Sequence, residues 1–105
     1  MSGVYIILNE TKSTDNELYI KIGCSKNIQN RFKQICASYK FNGSLDKLSL
    51  LTTIQCDKYK LLEKHLHILL NSKRIINNSR HEWFKTDEEF LNDRLMRVDL
   101  NYYRK

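Results

Sequence analysis

A chain of 105 residues is long enough for one domain with a modest core of its own. Hydrophobic residues at 41% with 29% charged exclude a disordered chain, and no apolar run approaches the ~20 residues of a membrane-spanning helix. Lys and Arg number 18 against 12 Asp and Glu, and the net charge of +6 gives a field that attracts polyanions.

Three widely spaced cysteines, Cys24, Cys36 and Cys56, form no Cys-x-x-Cys pair. They are expected to be small core hydrophobes in a reducing compartment rather than a disulfide framework or a zinc site. The N-terminus passes from Met1-Ser2-Gly3 straight into a strand pattern with no leader, so the expectation is an intracellular protein.

Residues 4–8 are β-branched and aromatic and end in turn chemistry at 9–16; residues 18–23 resume the pattern, which predicts an antiparallel hairpin with a long loop. Period two sets Tyr19, Lys21 and Gly23 on one face and Leu18, Ile20 and Ile22 on the other. In the first strand Val4, Ile6 and Leu8 oppose Tyr5 and Ile7. One face is then core, and the other offers Tyr5, Tyr19 and Lys21 together.

Ser25 or Asn27 caps a helix whose apolar positions are Ile28, Phe32, Ile35, Cys36 and Tyr39, with Arg31 at the margin of that stripe. Lys26, Lys33 and Lys40 are left for solvent or phosphate. Asn42-Gly43-Ser44 breaks the pattern and a third strand follows over 48–56. Asp57 is the expected cap of a second helix over 58–71, in which Leu62, Leu66, Leu69 and either Ile68 or Leu70 form the buried side and Glu63 and His67 share a stripe. Residues 73–80 read as a polar loop carrying Lys73, Arg74 and Arg80. His81-Glu82-Trp83-Phe84 reads as a short edge strand or an aromatic anchor, Thr86 caps a last helix over 86–97, and the tail 101–105 frays. No repeat or linker divides residues 1–105.

Gly3-Val4-Tyr5, Lys21-Ile22-Gly23, Arg31 eight residues later and the helical Glu63 together resemble the GIY-YIG nuclease superfamily. The match is closest to its small single-domain branch, with a Lys-Ile-Gly second triplet, common in bacteriophages and large DNA viruses. The later Glu63…His67 and Glu82-Trp83-Phe84 also resemble that branch. The resemblance covers about residues 3–84 and implies an α+β fold, a three-stranded antiparallel sheet flanked by helices. It implies an endonuclease that hydrolyses DNA phosphodiester bonds with Mg²⁺ or Mn²⁺ held by Glu63, RNA and a dimeric state being left open. Tyr5 would orient or deprotonate water, Arg31 would bind the phosphate oxygens, and Gly3 and Gly23 would be the motif glycines.

Two positions depart from the family pattern. Lys21 replaces the second tyrosine, where it can bond phosphate or lower the pKa of Tyr5; Ile35 stands where several members carry a histidine, a gap left for Tyr19 or His67 to fill. Asn77 or Asn78 is a weaker match to a family asparagine. Lys26, Lys33, Lys40, Lys73, Arg74 and Arg80 would contact nucleic acid. The plainer alternatives make Tyr5 and Tyr19 strand aromatics, Arg31 a snorkelling cation, and Glu63 a surface partner of Lys60, Lys64 or His67. The alternative at the level of function is a nucleic-acid-binding module that keeps the shape without activity.

Overall fold

The computed structural model describes residues 1–75 and 83–104. Its strands are β1 (Gly3–Asn9), β2 (Leu18–Ser25), β3 (Leu48–Gln55) and β4 (Trp83–Thr86). Its helices are α1 (Ile28–Phe41), α2 (Tyr59–Leu69), α3 (Glu88–Met96) and α4 (Leu100–Arg104), with a 3₁₀ turn at Asn71–Lys73. The fold is α+β as the sequence predicts, but the antiparallel sheet has four strands in the order β3-β1-β2-β4. The added strand is the aromatic stretch after the 73–80 segment, which pairs Trp83 with Lys21 and Thr86 with Leu18.

β1 lies at the centre and is buried almost throughout. It pairs Tyr5 with Gly23 on one side and Tyr5 with Thr53 on the other. Helices cover both faces. Val4, Ile6, Ile20, Ile22 and Phe84 pack with Leu62, Leu66 and Leu70 of the α2 side, reinforced by Leu91 and Tyr103. Tyr5, Ile7 and Trp83 pack with Ile28 and Ile35 of α1. The second face is therefore no open platform: Tyr5 is 3% and Lys21 5% exposed, because α1 lies over them.

Local chemistry sets the element ends. Asn27, in extended conformation, caps α1 by accepting from the Asn30 amide. The cap of α3 is Asp87, which accepts from the Phe90 amide at 2.7 Å, whereas Thr86 belongs to β4. Asp57 lies one residue before Lys58, the N-cap of α2, which makes no side-chain cap bond. Asn9, fully buried, donates to Asp46 and accepts from the Lys12 amide, which ties the loop after β1 to the chain before β3. The tail is docked: Tyr103 is buried with its hydroxyl 2.6 Å from His65 Nδ1, and Arg104 Nε donates to the Gln55 carbonyl at 3.1 Å. One buried tyrosine and one guanidinium bond outweigh its polar composition. No helix among the described residues is long and apolar enough to cross a membrane.

Candidate functional site

The Tyr5–Gly23 pair fixes the centre of the site. The Tyr5 ring lies across the Gly23 α-carbon, so closely that a Cβ there would fall 2.2 Å from the phenol oxygen and 2.4 Å from Cζ. Only glycine admits this approach. Gly3 serves differently, since a Cβ on it would meet the Ile54 carbonyl oxygen at 2.1 Å, where β1 and β3 run close.

Lys21, two residues before Gly23 and on the same face, is held among aromatics. Its Nζ lies 5.9 Å from the centre of the Trp83 ring, and Trp83 is in turn 5.2 Å from Tyr19 and 6.2 Å from Tyr39. A cation against a ring face gains from the ring quadrupole while the long stem fills apolar space. Tyr19 is half-buried and carries Lys12 Nζ at 5.0 Å on its ring. Arg31 comes to this side of the sheet on α1, half-buried between the buried Ile28 and Ile35.

Glu63 approaches from the other side. It is half-buried on α2 next to buried Leu62, and its carboxylate bears on the Cys24 thiol. Burial, and then the Glu63 carboxylate, push the Cys24 pKa up from its ordinary 9.0 to about 12. Gly23 and Cys24 are consecutive on β2 and so face opposite ways. Tyr5 touches the first and Glu63 the second. Among the described residues the β2–β4 ladder stops at Lys21–Trp83, so this Gly23–Cys24 step lies on the part of β2 beyond it.

His67, one helical turn after Glu63, rests on β2 as well. Its Nε2 is 2.9 Å from the Ile22 carbonyl oxygen, its Nδ1 is 3.4 Å from Arg74 Nη2, and its ring stands edge-on to Phe84 at 5.2 Å. These partners suit the tautomer in which Nε2–H donates to the carbonyl and Nδ1 accepts from the guanidinium. Both ring nitrogens are engaged.

The basic residues fall into two groups. Lys26, Lys33 and Lys40 are exposed on and before α1. Lys73 and Arg74 are half-buried instead, with Lys73 Nζ 4.8 Å from the Phe90 ring centre and the Arg74 guanidinium 5.5 Å from that of Phe84. Arg80, Asn77, Asn78, His81 and Glu82 lie outside the described residues.

Tyr5, Lys21 and Gly23 thus share the α1 side with Arg31, while Glu63 and His67 sit on the α2 side against adjoining residues of β2. Sequence reading missed Cys24 as the neighbour of Glu63. Period two already placed Cys24 opposite Gly23, but nothing local fixed which turn of α2 would cross it. Among the described residues no group of three or more His, Cys, Asp or Glu could hold a metal ion. A site here would be one carboxylate with open positions around it.

No curated protein and no solved structure matches the chain. The sequence model of the T5orf172 domain matches residues 2–99, nearly all of it. The chain belongs to the T5orf172 domain family.

Proposed function

We propose that this domain is a divalent-metal-dependent endonuclease of the GIY-YIG type that nicks or cleaves DNA. One observation carries the reading: the Tyr5 phenol and the Glu63 carboxylate bear on consecutive residues, Gly23 and Cys24. Although they come from opposite faces of β2, they do so past its described ladder with β4, where a phosphate at the strand edge would be within reach of both sides. Membership of the T5orf172 family is compatible with a nuclease-like or DNA-binding role.

The division of labour follows from the side chains. Tyr5, locked over Gly23, orients the attacking water by its hydroxyl. Arg31 donates to the non-bridging phosphate oxygens, a task its planar fork suits better than a lysine. Lys21, buried beside them, adds fixed positive charge where the phosphate's charge grows. His67 holds α2 against the Ile22 carbonyl and so sets where Glu63 points. A lone carboxylate fits Mg²⁺ or Mn²⁺, since magnesium keeps several waters and takes its remaining ligands from substrate phosphate. Held at Glu63, the cation would supply counter-charge for the leaving oxygen.

The test is nicking of supercoiled plasmid with Mg²⁺ or Mn²⁺ and EDTA controls, wild type against Glu63→Ala and Arg31→Ala. Nicking that needs metal and falls at least ~100-fold in each variant is expected. Metal-dependent nicking unaffected by Glu63→Ala would remove the assignment. Lys21 in place of a tyrosine, turned against Trp83, favours one second reading, a nucleic-acid-binding module without activity. Salt-sensitive DNA binding with no cleavage of any substrate would establish that reading instead.

A further inference from the structure

Two of the most exposed large apolar side chains stand together at one turn. Phe41, the last residue of α1, is 92% exposed, and Leu45, four residues on, is 97% exposed. Between them Gly43 takes φ +81, a left-handed conformation that suits glycine, and the space where a Cβ would lie is open. The turn itself is well made: the Asn42, Gly43 and Ser44 amides donate to the Ser38, Lys40 and Tyr39 carbonyls. A firm turn thus presents a phenyl ring and a leucine to solvent.

The charge along α1 is one-sided, and Asp46, which follows Leu45, is engaged by Asn9 and Lys12. Between Glu17 and Asp46 the chain has no acidic residue, yet it carries Lys21, Lys26, Arg31, Lys33 and Lys40. The outward side of α1 holds exposed Asn30, Lys33, Ala37 and Lys40, at intervals of three to four residues that put them along one stripe, with Phe41 beside Lys40 at its end. From Asn30 to Phe41, at ~1.5 Å per residue, this stripe is about 17 Å long. It starts where Ile28 packs with Tyr5 and ends at the Phe41 tip.

We infer that the Phe41–Leu45 tip is a stacking wedge for an unpaired nucleobase, with the α1 stripe carrying the phosphates that lead to it. An aromatic ring set beside a cationic track is the combination that binds single strands without regard to sequence. An exposed leucine on the far side of the same turn adds an apolar group of the sort that separates stacked bases. The inference rests on the nucleic-acid reading above and sharpens it: the domain would choose DNA where the strands part, such as a flap or fork, over uninterrupted duplex.

Binding is measured in EDTA, with the full chain, by anisotropy of a labelled duplex and of the same duplex with splayed ends; 2-aminopurine marks the first unpaired position. The wild type should prefer the splayed DNA and quench the marker. Phe41→Ala should weaken splayed binding on the order of tenfold and leave duplex binding nearly unchanged, and Phe41→Trp should restore it. Lys40→Gln should weaken both substrates alike and lower the salt slope. A splayed RNA of the same sequence tells whether the sugar matters to the wedge. Three results would overturn the inference: no preference in the wild type, equal losses on both DNAs with Phe41→Ala, or a wild-type dimer that this variant makes monomeric. Because no cleavage is read, an inactive domain that still prefers splayed ends fails the endonuclease reading alone, and an active one without the preference fails the wedge alone.

Discussion

The two faces of the sheet are both covered and are filled with different chemistry. Toward α2 the sheet presents Val4, Ile6, Ile20, Ile22 and Phe84 to a leucine row, with Leu91 and Tyr103 behind it, an almost wholly apolar layer. Toward α1 it presents Tyr5, Lys21 and Trp83, with Tyr19, Phe32 and Tyr39 partly buried around them. The α2 layer has the composition of a core built for stability, where close-packed aliphatics contribute most per residue. The α1 layer gives up some of that to hold a phenol and an ammonium in fixed places. A domain this small can accept polar burial on one face because the other is so completely apolar, and Glu63 and His67 reach the site from the margin of the stable face.

Truncation on the apolar face should have the largest effect. Leu66→Ala removes a fully buried side chain and should cost about 2–5 kcal/mol in urea unfolding, a large part of the ~5–15 kcal/mol of a typical domain. Tyr5→Phe, on the other face, should stay within about 1 kcal/mol of wild type in the same measurement while losing metal-dependent nicking. Comparable losses of stability in both variants would erase the distinction between the faces.

Gly23→Ala should come next, at about 1–3 kcal/mol, because its methyl group must displace the buried Tyr5 ring. The cause can be isolated. In a Tyr5→Ala background the same substitution should cost much less, giving a coupling energy that additivity would not predict for unrelated sites. Full additivity would mean that the phenol does not occupy the space above Gly23.

Much of this could be read from residues alone, and the exceptions have a common cause. Alternation over 4–8 and 18–23 located β1 and β2 and sorted their faces, and the spacing of Arg31 from Ile28 and Ile35 placed it at the buried margin. Burial of Tyr5 and Lys21 was not legible, because it depends on how far α1 lies across the sheet. The fourth strand was half legible: residues 81–84 read as an edge strand or an aromatic anchor, and Trp83–Thr86 is both, four residues being too short for period to decide. Tyr102-Tyr103-Arg104 reads as a polar end until Tyr103 finds a cavity and a histidine partner. The Cys24–Glu63 contact is set by the rotation of α2, which Leu62, Leu66 and Leu70 determine jointly with β2. Each miss is a long-range contact with no local signal.

A smaller effect tests how α1 is seated over the polar face. Asn27→Ala removes the cap on the Asn30 amide and should cost about 1 kcal/mol in unfolding, with Asp87→Ala at the start of α3 behaving alike. The two should differ in DNA binding, which only the α1 cap should weaken, because the exposed cations Lys33 and Lys40 ride on that helix.

The smallest effect addresses a contact joining Glu63 to the strand at the centre of the site. Burial and the adjacent carboxylate keep the Cys24 thiol protonated, with a pKa of about 12. The folded thiol therefore binds its proton more tightly than the unfolded one. Its contribution to stability is complete below the unfolded value and is lost as pH rises toward 12. Iodoacetamide attacks the thiolate, so at mildly alkaline pH in EDTA Cys24 should react more slowly than a free cysteine. Glu63→Gln removes the negative charge but leaves the burial, so alkylation at Cys24, read by mass spectrometry, should quicken by a few-fold and still lag a free thiol. Cys36 on α1 serves as the internal standard, since burial alone raises its pKa and Glu63 does not bear on it. An unchanged Cys24 rate would detach Glu63 from β2, and a carboxylate not held at Cys24 would no longer be positioned beside the Tyr5–Gly23 pair.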